Sequence, residues 1–100
     1  MNFDRDRFAE ELGSSFALKI ADSESVDLEL VEVSELKERP HQVSFAILFL
    51  TPNSSLVDQG LYELNHERLG EMQIFLVPIG MDGERMKLEA VFNFLPNDKA

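Results

Sequence analysis

The sequence contains no cysteine, and this absence excludes disulfide bonds, thiolate zinc sites and thiol nucleophiles. The core must therefore be held by packing alone, which fits a reducing compartment. Tryptophan is also absent, and tyrosine occurs once. Without an aromatic platform for a sugar ring, Glu63 and Glu89 are better interpreted as surface groups than as a glycosidase acid/base pair.

Basic residues are scarce, since the chain has nine lysines and arginines and nineteen aspartates and glutamates. The formal charge of −10 at pH 7 repels phosphate backbones and anionic lipid headgroups. We therefore expect neither nucleic-acid binding nor binding to a membrane surface. The acidic residues alternate with apolar ones and do not form blocks, a pattern typical of a solvated surface.

Long hydrophobic runs are missing as well. No segment approaches the roughly 20 apolar residues of a transmembrane helix, and the first residues, MNFDRDRF, have no apolar stretch behind a basic one. We therefore expect a cytoplasmic protein. A chain of 100 residues corresponds to one domain, which by surface scaling buries roughly 65% of its unfolded surface.

The clearest structural signal lies between Glu71 and Leu95, where two apolar runs flank Asp82-Gly83. This dipeptide is typical of a two-residue type I′ hairpin turn, in which both central residues have a positive φ. Because Pro78 has no N–H, we expect pairing on the far side of its strand to end, or a bulge to form, at that point. The predicted register pairs Met81 with Glu84, Ile79 with Met86, Val77 with Leu88, Phe75 with Ala90, and Gln73 with Phe92.

In this register the opposite face of the hairpin carries an apolar patch formed by Met72, Ile74, Leu76 and Val91. Either the N-terminal helix or a second copy of the protein must cover it, and the internal contact is favoured because such a patch is unusual on a monomer. Tyr62 is added as a candidate because tyrosine is enriched at interfaces, although an aromatic cross-strand contact is the simpler explanation. These five residues form the predicted interaction face.

The N-terminal segment predicts a short helix. Asp4 is suited to cap it, Phe8 and Leu12 share one face, and Gly13 is suited to end it. A helix of two to three turns is not stable alone. We therefore expect Phe8 and Leu12 to dock on the uncovered apolar face of the sheet.

Two strand segments and one turn carry further signals. In residues 26–33 the alternation of apolar and polar side chains changes phase near Leu30-Val31. This change indicates a β-bulge of the kind that bends strands in small barrels. Residues 42–51 are apolar on both sides, which predicts a central strand covered on both faces. Gly70 lies where a positive φ would be needed before the final hairpin.

The predicted fold is mainly β (α+β), with about six antiparallel strands in meander order that form a small barrel or sandwich, and one short N-terminal helix. The whole chain, 1–100, is predicted to be a single domain. Its predicted elements are a helix at about 4–12 and strands at about 15–20, 26–33, 42–51, 60–65, 71–80 and 84–95. Residues 96–100 form a polar tail that we expect to be loosely ordered.

No catalytic, cofactor-binding or metal-ligating residue is predicted. His41 and His66 do not lie at a ligand spacing from one another, and a locally hydrogen-bonded turn histidine is the simpler interpretation. An acyl-transfer triad of a serine with His66 and Asp58 is disfavoured, because the sequence contains no G-x-S-x-G nucleophile-elbow motif. The acidic stretch 22–29 lacks the central glycine of a calcium loop, so we interpret it as a solvated turn and strand face.

Residues 59–66 have the sequence QGLYELNH, followed by Leu69-Gly70, by FLVP at 75–78 and by EAVFN at 89–93. This series resembles a family of short bacterial domains of unknown function with Q-G-x-Y-x-L-x-H, L-G, F-L-V-P and E-A-V-F-N segments. The resemblance spans nearly the whole chain. Glu67 departs from it, because the family pattern usually has proline there, which puts the exact turn type in doubt.

The resemblance implies no activity, ligand or catalytic residue for this chain. Some members of that family lie beside phage-tail-like genes, which implies a structural or assembly role. We therefore expect a non-enzymatic interaction or structural module, accessory to a phage-tail-like assembly, that binds a protein partner or self-associates and uses no cofactor. The alternative is a small-molecule-binding barrel or small enzyme that uses the barrel mouth, with the loop at 52–60 as its rim.

Overall fold

A computed structural model describes residues 5–95. Its one helix, α1, is six residues long, and no helix among the described residues has the length and apolar character needed to cross a membrane. The elements are α1 (Arg5–Glu10), β1 (Ser15–Ala21), β2 (Glu24–Val33), β3 (Lys37–Arg39), β4 (Gln42–Leu50), β5 (Gly60–His66), β6 (Gly70–Asp82) and β7 (Arg85–Phe94).

The strands form one antiparallel sheet in the order β2-β1-β5-β6-β7-β4-β3. An additional ladder between β2 and β4 joins the sheet to itself, so six strands form a closed barrel and β3 lies outside the ring on β4. The predicted fold class, a mainly antiparallel β structure with one short N-terminal helix, is confirmed, and of the two forms left open, barrel and sandwich, it is the barrel. Residues 37–39, which lie outside the predicted strands, form the short edge strand β3.

The order of the strands around the barrel differs from a meander at one step. Strand β4 pairs with β7 and β2, whereas β5 pairs with β6 and β1, so β4 and β5 lie on opposite sides of the ring. The segment that connects them must therefore cross one end of the barrel. This is a Greek-key connection, because β5, β6 and β7 follow one another as hairpins and β4 lies beside the last of them.

The interior is filled by side chains that alternate along the strands, as a barrel of this size requires. The fully buried members include Phe16, Leu18, Leu28, Leu30, Ile47, Phe49, Leu64, Leu76 and Leu88. The β2–β4 register shifts between Leu30 and Glu32, which places a bulge at Val31 and confirms the predicted one. Strand β4 is central, but its outward residues are only half-buried, so it is not covered equally on both faces.

The register predicted for the final hairpin is wrong. Asp82 pairs with Arg85, so Gly83 and Glu84 are the central residues of the turn. Gly83 has a φ of 62°, and among the described residues only Ser54 shows a positive φ without being glycine. A turn with positive φ at its first central residue alone is of type II′, so the single glycine sets the position of the turn.

A second irregularity follows at Pro78. The β6–β7 register shifts between Pro78 and Gly80, and the ladder between β5 and β6 ends at Gly60↔Leu76. The end of the β5–β6 ladder was predicted from the missing N–H of Pro78, whose strand loses its second partner there. The shift in the β6–β7 ladder lies on the other side of the strand and was not predicted. Beyond this point the hairpin extends as a two-stranded arm whose residues 79–84 are exposed.

The bulge between Pro78 and Gly80 changes which residues of β6 and β7 share a face. Met72, Ile74 and Leu76 are 4%, 1% and 0% exposed, because they point into the barrel together with Leu88 and Ala90. The expected apolar patch on the outside of the hairpin therefore does not exist as predicted. Phe75, which was expected on the same face as Ala90, lies on the outer surface and is 50% exposed.

Helix α1 closes one end of the barrel and does not cover an outer face. The ring of Phe8 lies 6.2 Å from Phe16, 6.2 Å from Phe45 and 5.6 Å from Phe92, measured between ring centroids. Leu12, expected to share this contact, is half exposed. Gly13 ends the segment with a φ of 85°, as predicted, while the expected cap at Asp4 lies outside the described residues.

The crossing segment between β4 and β5 closes the other end. Val57 is buried within the core cluster. Thr51 is fully buried and anchors the start of the crossing, since its Oγ1 accepts a hydrogen bond from the Met86 N–H at 2.9 Å and donates one to the Ser55 carbonyl at 3.1 Å. Both ends of the barrel are thus occupied by the protein itself.

The two neighbours Phe75 and Leu76 provide a test of this register. We expect Leu76→Ala to lower the free energy of unfolding by about 2–5 kcal/mol, because it leaves a cavity in the core. Phe75→Ala should cost about 0.5 kcal/mol, because the side chain lies on the surface. Urea denaturation followed by circular dichroism measures both values, and the reverse ranking would support the register predicted from Asp82-Gly83.

Candidate functional site

Among the described residues, the shortest ladder of the ring joins β1 to β5. Among the described residues their ladder has two pairs, Ala17↔Asn65 and Leu18↔Leu64, although both strands continue beyond it. Residues 19–21 remain paired with β2, and residues 60–63 remain paired with β6. We call the region beyond this ladder, between residues 20–21 and residues 60–62, the β1–β5 opening.

The hydrogen-bonding edges of both strands face this opening. The Leu30 N–H donates to the Ser14 carbonyl at 3.1 Å, so the even-numbered residues of β1 direct their backbone groups toward β2. The backbone groups of Lys19 are therefore directed toward β5. By the same alternation, Glu63 directs its backbone groups toward Lys19. The Leu18↔Leu64 pair is not hydrogen-bonded itself, so it implies hydrogen bonds between the residues on either side of it, including Lys19 with Glu63, whereas Leu61 lies beyond the last ladder pair.

A cleft of about 320 Å³ lies at the same place. It is lined by the outward side chains of Lys19, Glu63 and Asn65 and by the turn at residues 22–25 that joins β1 to β2. Asp22 and Glu24 in that turn contribute two further carboxylates, so three carboxylates accompany one ammonium group. The cleft is acidic, in keeping with the charge of the whole chain.

Tyr62 lies within the opening. It is half-buried, two residues before the fully buried Leu64 on the inward side of β5. Its hydroxyl donates to the Asp58 carbonyl at 2.8 Å and thereby fixes the end of the crossing segment to β5. Two residues that border the opening have exposed apolar side chains: Ile20 is 53% exposed and Leu61 is 63% exposed.

The structure does not bring the five predicted interaction residues together on one surface. Three of them are in the core, as described above, whereas Val91 is 54% exposed on the outside of β7 and Tyr62 lies at the opening. The outer apolar surface is formed by other residues. Leu61 and Phe75 are direct cross-strand partners on β5 and β6, and both are at least half exposed.

A second polar group of residues lies at the helix end of the barrel, around His66. The imidazole is almost fully buried, and its ring centroid lies 4.3 Å from that of Phe16. Its Nδ1 accepts hydrogen bonds from the backbone N–H groups of Arg68 at 3.0 Å and Leu69 at 3.1 Å. The prediction of a locally hydrogen-bonded turn histidine is confirmed.

The partners of His66 determine its tautomer and its role. Because Nδ1 accepts two N–H groups, the ring proton lies on Nε2, which donates to Ser14 Oγ at 2.9 Å. Ser14 Oγ in turn donates to the Glu11 carbonyl at 2.6 Å. A histidine that activates a serine must accept the hydroxyl proton, so this arrangement is opposite to that of a triad. It holds the end of the helical segment on the turn after β5.

Glu11 and Arg68 complete this group. Arg68 Nε lies 2.9 Å from both carboxylate oxygens of Glu11, and Nη2 also donates to Oε1. The hydrogen bonds from Arg68 lower the pKa of Glu11, although partial burial opposes the shift. Burial lowers the pKa of His66 below its ordinary value of 6.5, against the attraction of Glu11.

The other polar residues considered in the sequence lie in different parts of the fold. His41 lies exposed in the turn between β3 and β4, and Asp58 does not contact His66. Within residues 5–95, no three histidine, aspartate or glutamate side chains converge as a metal site would require. Glu63 and Glu89 lie on different strands, β5 and β7, with β6 between them.

A family model described as a domain of unknown function, DUF6916, matches residues 3–92. The chain belongs to the DUF6916 family. No curated protein and no solved structure matches the chain.

Neither the β1–β5 opening nor the Ser14–His66 contact of this DUF6916 domain was predicted from the sequence. The β1–β5 opening depends on two strands that are far apart in sequence, and no local pattern states where their ladder ends. The Ser14–His66 contact joins residues 52 positions apart. The one local signal was Gly13-Ser14 directly before a strand. This dipeptide indicates a chain reversal but does not indicate which residue Ser14 contacts.

The buried neutral histidine leads to a pH dependence of stability. Because the pKa of His66 is lower in the folded than in the unfolded protein, the unfolded chain binds more protons below neutral pH. The free energy of unfolding should therefore be largest above pH 6.5 and decrease as the pH falls from about 7 to 5. Protonation of Glu11 should lower it further at still lower pH.

The variant His66→Gln should remove most of the decrease between pH 7 and 5. It should also lower stability at pH 7 by about 1–3 kcal/mol, since buried N–H groups lose their acceptor. His41→Gln, at the exposed histidine, is the matched control and should retain the full decrease. Urea denaturation across the pH range measures all three proteins, and an unchanged profile for His66→Gln would contradict the assignment.

Proposed function

We propose that this domain is a non-enzymatic interaction or structural module that contacts a protein partner through the outside of its barrel. The observation that carries this proposal is the filled interior. The core cluster occupies the inside of the ring, Phe8 occupies one end, and Val57 in the crossing segment occupies the other. A barrel of six strands has room for side chains but little else, so the available recognition surface is external.

The outer surface of β5 and β6 supports the proposal. Leu61 and Phe75 form an apolar cross-strand pair that is open to solvent, and neighbouring outward positions are polar, including Glu63 and Gln73. An aromatic and an aliphatic side chain with a polar surround is a common composition for a protein contact site. The partner is a different protein, with self-association as the alternative.

An accessory role in a phage-tail-like assembly is the most specific form of this proposal. It is supported by the resemblance of the QGLYELNH, FLVP and EAVFN segments to short bacterial domains, some of which lie beside phage-tail-like genes. A bacterial source and a cytoplasmic location belong to the same proposal. The alternative use of a barrel mouth as a small-molecule site gains no support from the geometry, because side chains occupy both ends of the ring.

The test is affinity purification of the tagged protein from its native host, with mass spectrometry of what is retained. We expect a tail-type component to co-purify with the wild-type protein. The double variant Leu61→Glu/Phe75→Glu should lose it, because two charges enter an apolar contact. Leu56→Glu is the matched control, since Leu56 is exposed in the crossing segment, and it should retain the partner.

Two outcomes would contradict the proposal. Wild-type protein that purifies as a lone monomer would argue against an interaction module. A partner retained equally by the double variant and by the control would place the contact surface away from β5 and β6. Circular dichroism of each variant shows whether a lost partner reflects a lost fold.

A further inference from the structure

We infer that Asp82 is a covalent modification site, at which its side chain and the nitrogen of Gly83 form a succinimide ring that opens to isoaspartate. The site lies at the tip of the β6–β7 arm, and the inference does not depend on the proposed function. Isoaspartate is the substrate of carboxyl methyltransferases that use S-adenosylmethionine. The modified tip is therefore a target for that class of enzyme.

The sequence provides the first argument. Asp82 is the one aspartate in the chain that precedes a glycine, and no asparagine precedes one. A Cβ on the following residue hinders the approach of that residue's nitrogen to the aspartate side chain, and glycine has none. Ring closure is therefore favoured at Asp82-Gly83 over every other aspartate or asparagine of the chain.

The turn provides the second argument. Asp82 pairs with Arg85, so Gly83 and Glu84 lie outside the ladder. Among the described residues, none accepts a hydrogen bond from the Gly83 N–H. A nitrogen held in a ladder would have to lose its hydrogen bond before it could attack a carboxyl group. The nitrogen of Gly83 has no such bond to lose.

The surroundings of the tip provide the third argument. Residues 79–84 are exposed, and a Cβ built on Gly83 would meet no described atom within 4 Å apart from its chain neighbours. The tip can therefore change its backbone angles without displacing a core side chain. Exposed tips of this kind open locally at little cost, so the ring can close while the barrel stays folded.

The reaction needs no reagent other than water. The Gly83 nitrogen attacks Cγ of Asp82, the N–Cγ bond forms, and the carboxyl hydroxyl leaves with the amide proton as water. Water then adds to the ring and breaks one of the two bonds between the nitrogen and a carbonyl carbon. When the original peptide bond breaks, the main chain runs through Cβ and Cγ of residue 82, and the former main-chain carbonyl becomes a free carboxylate.

Isomerisation lengthens the main chain by one carbon inside a two-residue turn. The residues after that turn contact the crossing segment: the Ser54 N–H donates to the Glu84 carbonyl at 2.9 Å, and Arg85 Nε donates to the Thr51 carbonyl at 2.7 Å. We therefore expect isoaspartate at residue 82 to release Ser54 from the arm while the barrel remains folded.

The first test is prolonged incubation of the wild-type protein at mildly acidic pH, followed by digestion with trypsin. Isoaspartate and aspartate have the same mass, but reversed-phase chromatography separates peptides that contain them. Peptide 69–85 contains Asp82, and peptide 20–37 contains Asp22, which lies in an exposed turn but precedes a serine. We expect at least about fivefold more isoaspartate in peptide 69–85. Equal amounts, or none in peptide 69–85, would overturn the inference.

A purified isoaspartyl methyltransferase with labelled S-adenosylmethionine gives an independent readout. It transfers the methyl group to the free carboxylate of isoaspartate and releases S-adenosylhomocysteine. The variant Asp82→Glu should lose the label that incubated wild-type protein accepts, because the six-membered ring it would need closes far more slowly. Asp22→Glu is the matched control and should keep the label. Equal labelling of the two variants would contradict the assignment to Asp82.

A synthetic peptide with the sequence of residues 79–86 tests whether the folded tip reacts. The peptide lacks the barrel, so it gives the rate of the unrestrained sequence. We expect the folded protein to form isoaspartate within about tenfold of that rate, because the tip opens without global unfolding. A protein that stays unmodified after the peptide has converted would show that the hairpin prevents ring closure, and the inference would fail.

NMR spectra of the incubated protein measure the structural effect. The amide signals of Ser54 and Glu84 should shift in the isomerised fraction, whereas those of Ser14 and His66, at the other end of the barrel, should not. Unshifted signals for Ser54 and Glu84, or shifts throughout the core, would contradict a local release of the crossing segment.

Discussion

Closure of the sheet through the β2–β4 ladder is the constraint on which the rest of the structure depends. The ladder requires β2 to bend, and the bulge at Val31 lets it do so while Leu28 and Leu30 stay inside. Once the ring is closed, each strand must direct alternate residues into a narrow interior. Phenylalanine and leucine side chains fill that space.

Closure also explains why the two ends differ in chemistry. Because β4 and β5 lie on opposite sides of the ring, the chain between them crosses one end, and a buried threonine hydroxyl satisfies the backbone there. At the other end Phe8 packs on aromatic rings, and a neutral histidine joins the helical segment to the turn after β5. No buried side-chain polar atom among the described residues lacks a hydrogen-bond partner. Strands β1 and β5 meet without a hairpin to align them, and their ladder in the described chain is only two pairs long.

Much of the fold could be predicted from individual residues whose effect is local. Gly13 and Gly70 have the positive φ expected of them, the slip in alternation marks the Val31 bulge, and Pro78 ends one ladder. The final turn could not be placed in the same way. Asp82-Gly83 suits a type I′ turn, but Gly83 alone supplies the positive φ of the type II′ turn that forms, one residue later. The shift of the turn alone keeps odd-numbered residues of β6 beside even-numbered residues of β7, and the bulge between Pro78 and Gly80 then reverses this, so that Met72, Ile74 and Leu76 share the inner face with Leu88 and Ala90.

The sequence by itself indicated mainly antiparallel strands with one short N-terminal helix, because apolar alternation and turn residues act over a few positions. It also determined the acidic character of the surface and the local bonding of His66. Only the tertiary structure decided which strands are neighbours, what closes each end and where the β1–β5 ladder stops. These depend on contacts such as Ser14 with His66, 52 positions apart, whose energies arise only when the closed barrel brings the partners together.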